Sequence, residues 1–186
     1  MRIIGGKYKS KKIFPPSDKT TRPLRDMVKE SIFNLIENSN KYNFQIKESY
    51  ILDLFSGTGS FGLECISRGA NKVIFVEKYA PIIKILKKNL LSLNHDSNNQ
   101  IFEENCFDFI KNFNELNMKF DVIFIDAPFK EKDIDSLIEI ILSKKMLKKT
   151  GIVIIHKHKK DIFKITHKLK ILDERIYGIS KIIFGN

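Results

Sequence analysis

Two apolar runs in this chain each close on a carboxylate, and the residues after each one are types that hold a ligand. The first run, Tyr50–Leu54, carries Asp53 near its end and passes through Phe55-Ser56 into Gly57-Thr58-Gly59-Ser60-Phe61-Gly62. Glycine after a strand permits positive φ and lets the backbone come close to a ligand before a helix begins. The same G-x-G-x-x-G string occurs in dinucleotide sites, where the loop cradles a pyrophosphate. Here a carboxylate, Asp53, precedes the glycines. It repels phosphate and accepts a hydrogen bond from an ammonium group, directly or through water. The second run ends at Asp126 and continues as Ala127-Pro128-Phe129. An exocyclic base amine needs two acceptors to fix its N–H groups while the nitrogen faces an electrophile. The Asp126 carboxylate and the Ala127 backbone carbonyl can supply them, with Phe129 stacking on the base for about 1–3 kcal/mol.

Between these runs stand two further candidates. Glu77 ends another apolar run, the position from which a carboxylate takes both hydroxyls of a ribose. Asn105-Cys106 follows a third and can offer an amide or a backbone N–H to an adenine edge, although Asn105 equally suits a helix cap. An amino-acid end, a ribose and an adenine together describe S-adenosylmethionine. Its sulfonium carbon needs an in-line nucleophile and little else, so catalysis is mostly positioning, with Asp126 stabilising the positive charge that develops on the attacking nitrogen. No metal is expected. His156-Lys157-His158 lacks nearby Cys or carboxylate ligands and reads as strand-end side chains facing solvent or RNA. Cys65 and Cys106 have neither disulfide nor metal spacing and read as small packing residues.

The elements that must position these residues follow from periodicity. Strands are expected at residues 50–54, 72–77, 100–103, 120–126 and 151–156, and helices near 60–68, 81–93, 106–114 and 133–142, with a weaker one over 161–168. Alternation of this kind predicts an α/β fold with a mainly parallel sheet covered on both faces. Two strand-like runs, 170–177 and 179–184, flank Gly178 and predict a closing antiparallel hairpin. Before the first strand, Leu24, Met27, Val28, Ile32, Leu35 and Ile36 describe an amphipathic helix, with Pro23 suited to its first turn. Residues 2–4 and 11–14 can pair as a short hairpin. Residues 38–49 are polar and read as a linker. The reading divides the chain into an extension, 1–40, and a catalytic domain, 41–186.

The chain has 186 residues and a net charge of +11. Residues 1–30 carry nine Lys/Arg against three Asp/Glu, residues 31–143 twelve against sixteen, and residues 144–186 twelve against three. Basic ends around a mildly acidic middle suit contact with a polyanion. Against that, Lys outnumbers Arg 28 to 5, so part of the charge reads as solvated surface. No stretch approaches the roughly 20 apolar residues of a membrane span, and the N-terminus lacks a signal-peptide pattern. A cytoplasmic protein is expected.

The residues quoted resemble the amino-methyltransferases with an Asp/Asn-Pro-Pro-Tyr/Phe signature. Within that class the chain is similar to the RNA small-subunit methyltransferase D family, through Arg2-Ile3-Ile4-Gly5-Gly6, Thr21-Arg22-Pro23, Asp26–Asn34, Asp53–Gly59, Gly62-Leu63-Glu64, Ser67–Ala70, Glu77 and Asp126–Phe129. The resemblance implies a Rossmann-like class I fold with seven strands. It implies transfer of a methyl group from S-adenosylmethionine, leaving S-adenosylhomocysteine, to N2 of a guanine in 16S ribosomal RNA or a 30S assembly intermediate. Asp53, Phe55, Gly57, Gly59, Glu77, Asn105, Cys106 and Arg22 would meet the cofactor, and Asp126, Ala127, Pro128 and Phe129 the reacting base. Arg2, Lys7, Lys9, Lys11, Lys12 and Arg25 would grip RNA, with no membrane and no obligate protein partner. Ala127 stands where the family usually has Pro, and Leu24-Arg25 where it usually has hydroxyl residues. Other readings are an adenine-N6 amino-methyltransferase, a dinucleotide oxidoreductase and a non-catalytic RNA-binding relic.

Overall fold

A computed structural model describes the chain except residues 17–23, 39–41, 43–44, 94–97, 114–117, 129–130, 132, 162–165 and 167. In chain order the elements are α1 (Asp26–Asn38), β1 (Tyr50–Leu54), α2 (Ser60–Ser67), β2 (Lys72–Val76), α3 (Ala80–Ser92), β3 (Gln100–Phe102), α4 (Cys106–Asn112), β4 (Phe120–Ile125), α5 (Ile134–Ser143), β5 (Leu147–His158), β6 (Ile171–Tyr177) and β7 (Ser180–Gly185). The strands form one sheet in the order β3-β2-β1-β4-β5-β7-β6. The first five run parallel, and β7 pairs antiparallel with both β5 and β6. The expected helix over 161–168 lies mostly outside the described residues.

Central strands read as continuous apolar runs because both faces of the sheet are covered. Ile51, Val73, Phe75, Val122, Phe124, Ile152 and Ile154 face one buried cluster, which they share with α1, α2 and Leu86 of α3. Their neighbours Leu52, Leu54, Ile74, Val76, Ile123, Ile125, Val153 and Ile155 face a second cluster with α4 and α5. Phe61 of α2 stacks on Phe124 at 4.0 Å and on Phe33 of α1 at 5.2 Å. The order reverses at β1, with β2 and β3 to one side and β4 to the other. Such a reversal opens a crevice beyond the carboxyl ends of the two central strands.

Three sequence expectations shift. Of the apolar stripe expected for the first helix, Leu24, Val28, Ile32 and Ile36 are buried and Leu35 packs against the same cluster, whereas Met27 is 57% exposed and Phe33 joins the buried face instead. The linker is partly core: Tyr42 and Ile46 are buried, and the Tyr42 ring packs on Phe184 at 5.5 Å. Strand β5 starts earlier and ends later than expected, because Leu147 already pairs with Phe120 and His158 still pairs with Ser180.

At the N-terminus, Arg2 and Lys12 form an antiparallel bridge, Ser10 N–H donates to the Ile3 carbonyl at 2.8 Å, and Ile3 and Ile13 join the first cluster. What docks this hairpin is a buried carboxylate. Glu64 of α2 accepts the N–H groups of Ile4 and Gly5 at 2.8 Å each and the Arg68 Nε–H at 2.9 Å. Lys29 of α1, fully buried, lies 3.5 Å from Glu64 and donates to the Arg2 carbonyl at 2.6 Å. Burial pulls the Lys29 ammonium below the ordinary lysine range, and Glu64 then Asp26 oppose that shift. Removing one partner of a buried pair leaves the other charge uncompensated. Glu64→Ala should therefore lose about 3–5 kcal/mol of stability in urea unfolding, whereas replacing Lys29 and Glu64 together by apolar residues should cost much less.

Candidate active site

Register brings the expected residues to one edge. The last paired row runs Val76, Leu54, Ile125, Ile155 across β2, β1, β4 and β5. The next residue on each chain is Glu77, Phe55, Asp126 and His156. Asp53 stands one row back, paired with Phe75 and Phe124. The two acidic strand tips are therefore on adjacent strands at the reversal point.

The loop after β1 is tightly specified. Phe55 has φ 57°, a left-handed conformation that costs a phenylalanine about 1–3 kcal/mol and persists only where neighbours enforce it. Its N–H donates to Cys106 Sγ at 3.2 Å, and its ring stands edge-on to Phe107 with centroids 6.4 Å apart. Gly57 N–H donates to Glu77 Oε2 at 2.9 Å, while Lys78 and Tyr79 N–H donate to Oε1, also at 2.9 Å. Gly59 has φ 82°, and a Cβ there would lie 2.4 Å from Leu86 Cδ1. At Gly62 a Cβ would meet the Phe75 ring at 2.2 Å, so this glycine sets the close approach of α2 to β2.

Asp53 is 2% exposed, and its Oδ2 accepts the Gly62 N–H at 3.0 Å. Burial pushes its carboxyl well above the usual range; the Gly62 contact opposes this, and the charges of Asp126 and Glu77 add to it. Asn105 caps α4, its Oδ1 accepting Phe107 N–H at 2.8 Å. Cys106 is buried and burial drives its thiol upward, so it acts as a neutral hydrogen-bonding sulfur beneath Phe55.

On β4, the Asp126 side chain is 22% exposed, Ala127 is buried and Pro128 exposed. Phe129 and Arg22 lie outside the described residues. The expectation that His156 faces solvent or RNA is overturned. His156 is 3% exposed, with Nδ1 2.7 Å from Asp126 Oδ1 and Nε2 2.9 Å from Ser180 Oγ. The reason is topological: β7 covers the outer side of β5, so position 156 is interior. Lys157 is buried too. A signal was present in the alternation of His156, Lys157 and His158, but it becomes readable only once β7 is placed. Among the described residues no group of three or more His, Cys, Asp or Glu is arranged to hold a metal ion.

The basic candidates lie on the N-terminal hairpin and at the start of α1. Arg2, Lys7, Lys9, Lys12 and Arg25 are exposed. Lys11 donates to the Ser92 carbonyl at the end of α3, and Arg2 approaches Asp26 at 3.6 Å. The hairpin turn docks on the C-terminal end of α2, through Lys7 N–H to the Ser67 carbonyl at 2.7 Å. That end is one helix length, about 12 Å, from the Gly59 end.

With this geometry in view, the sequence matches, over residues 1–186, a family described as "conserved hypothetical protein 95". It is 31% identical over 180 residues to ribosomal RNA small subunit methyltransferase D of Haemophilus influenzae, covering 96% of this chain and 90% of that one. The chain belongs to this methyltransferase D family. A putative rRNA methyltransferase of Bacillus subtilis is 30% identical over 181 residues, covering 97% and 95% of the two chains. A solved putative methylase from Haemophilus influenzae is 29% identical with a TM-score of 0.77, covering 99% of this chain and 96% of that one. The Rossmann-like fold of seven strands expected for the family is the fold found.

The Asp53 shift carries a prediction for the ligand-free protein. A carboxyl raised in the folded state stabilises the fold fully below its unfolded value of about 3.9 and loses that contribution as pH rises through the raised value. At neutral pH Asp53 is therefore a net cost. Asp53→Asn, which keeps an acceptor for Gly62, should raise Tm at pH 7.5 by about 2–4 °C for each kcal/mol relieved. The gain should shrink toward zero as the scan is repeated near pH 4.

Proposed function

We propose that this chain methylates ribosomal RNA of the small subunit, using S-adenosylmethionine, at the exocyclic N2 amine of a guanine, in the cytoplasm. The observation that carries the reading is the adjacency of Asp53 and Asp126 at the point of strand-order reversal, one tip facing the glycine loop and the other opening onto Ala127-Pro128. The names of the relatives support ribosomal RNA as the substrate class. Among the described residues no helix is long and apolar enough to cross a membrane.

The site suits a cationic ligand on its own chemistry. Among the described residues, the charges that act on Asp53 are Asp126 and Glu77, both negative, and a cation at this edge would offset that repulsion. When bound, S-adenosylmethionine supplies an electrophilic methyl group on a sulfonium sulfur. Asp53 and the loop Phe55–Gly59 would hold its amino-acid end. Glu77 is oriented by three backbone N–H donors. A carboxylate has about four acceptor sites, so capacity remains for a ribose hydroxyl. Phe55, Asn105 and Cys106 would border the adenine.

For the base, Asp126 and the Ala127 carbonyl accept the two amine N–H groups and aim the nitrogen lone pair. As the nitrogen gains positive charge, the Asp126 carboxylate stabilises it, an interaction stronger in the transition state than in the ground state. Phe129 would stack on the ring. A guanine must leave its stack to reach this edge, which favours a loop or an incompletely assembled particle over a duplex. Lys7, Lys9 and Lys12 would contact phosphates, which position the RNA without choosing the base.

Isothermal titration should show S-adenosylhomocysteine binding to the wild-type chain and to Asp126→Asn alike. Labelled methyl transfer to 30S particles lacking the modification should fall by about 100-fold or more in Asp126→Asn. Equal turnover would remove Asp126 from its role, and label mapping to an adenine N6 would replace the guanine reading. Lys9→Glu with Lys12→Glu should weaken RNA binding. Each lost phosphate contact should flatten the slope of log K against log salt by about 0.7–0.9; an unchanged slope would place the RNA surface elsewhere.

A further inference from the structure

We propose that His156 is the positioning residue for Asp126, holding it through a ring Nδ1–H that donates to Oδ1. The inference rests on the amine-methylation reading for what Asp126 does, but its structural core stands on contacts alone. Asp126 leaves β4 at the last paired row and is partly solvated, with a side chain 22% exposed. A carboxylate in that position turns about its side-chain torsions unless something holds it. His156 is 3% exposed and sits between β4 and β7, with Nδ1 2.7 Å from Asp126 Oδ1 and Nε2 2.9 Å from Ser180 Oγ.

The roles of the atoms follow from hydrogen-bonding chemistry. An ionised carboxylate only accepts, so Nδ1 carries the proton that joins it to Oδ1. The other ring nitrogen, Nε2, stands against the Ser180 hydroxyl, which anchors the ring from its far side. Oδ1 is engaged by the ring, so the oxygen presented to the base amine is Oδ2. His156 does not touch substrate in this scheme. It fixes which oxygen faces the amine and at what angle, and a displacement of about 1 Å at a reacting group is enough to cost roughly 100-fold.

Two variants separate this role from simple filling of the interior. His156→Asn places an amide N–H where Nδ1 stands and gives up Ser180; His156→Gln reaches toward Ser180 and gives up Asp126. With labelled methyl transfer as readout, kcat should stay within about threefold for His156→Asn and fall about 10- to 100-fold for His156→Gln. S-adenosylhomocysteine affinity should change less than about twofold in either. Equal kcat in His156→Gln and wild type, or equal losses in both variants, would overturn the proposal. A measurement without turnover guards against failure of the functional reading. Nitrogen-15 NMR of the wild-type chain should show a proton on His156 Nδ1, with its signal displaced in Asp126→Asn. A bare Nδ1 would overturn the proposal even in an active enzyme. An inactive wild type with Nδ1 protonated would instead sink the methylation reading and leave the His156–Asp126 contact standing.

Discussion

A carboxylate placed in a dry strand tip beside two like charges is the costly feature around which this edge of the sheet is organised. Asp53 is nearly inaccessible, and Glu77 and Asp126 raise its carboxyl further. The neighbouring loop adds cost of its own, since Phe55 is held at positive φ. Departures from local preference concentrated at one place are expected where a ligand must be met. They persist because the sheet beneath is over-determined. Both faces are sealed by apolar clusters, and the loop is tied down by contacts from three elements: Cys106 under Phe55, Glu77 on Gly57 and Leu86 against Gly59. Among the described residues, Asp126 and Glu77 add negative charge around Asp53, a setting that suits a cation better than the phosphate of a dinucleotide loop.

A second carboxylate, Glu64, links this loop to the basic N-terminus. Helix α2 begins immediately after Gly59, and Glu64 on its buried side receives Ile4, Gly5, Arg68 and Lys29. The hairpin that displays Lys7 and Lys9 is thereby fastened to the same helix whose start follows the glycine loop. Buried ion pairs are poor sources of net stability, because desolvation offsets most of the attraction. Their value here is geometric: two backbone N–H groups of the hairpin and a lysine of α1 converge on one side chain.

Much of this was legible in the residues. The parallel core strands, the antiparallel close around Gly178, and the adjacency of Asp53 and Asp126 all follow from apolar runs, glycines and strand-end acids. What escaped the sequence shares one physical cause. Exposure of a polar residue depends on what packs against it from far along the chain. Lys29 sits in an amphipathic helix, and nothing local marks it as buried until Glu64 is brought beside it. Tyr42 and Ile46 lie in a polar segment and read as linker until Phe184 supplies a face to pack on. His156 reads as a strand-end side chain until β7 covers it. Periodicity reports local structure and carries no information on these long-range partners. Phe129, read from its place after Asp126, and Arg22, which rests on the family resemblance, lie outside the described residues.

The C-terminal hairpin illustrates the same point from the side of function. Residues beyond 130 carry none of the motif blocks, and the role most easily assigned to β6 and β7 is to close the sheet. Closure has a chemical consequence, however. Without β7, β5 would be an edge strand, and a histidine at its tip would be hydrated and free to turn. Because β7 runs antiparallel to β5, its first residues lie at the carboxyl edge, where Ser180 can meet His156. A parallel seventh strand would place its final residues there instead and leave Ser180 at the opposite end of the sheet. The direction of that strand therefore decides whether the imidazole beside Asp126 has a second anchor, and through it how firmly that carboxylate is held.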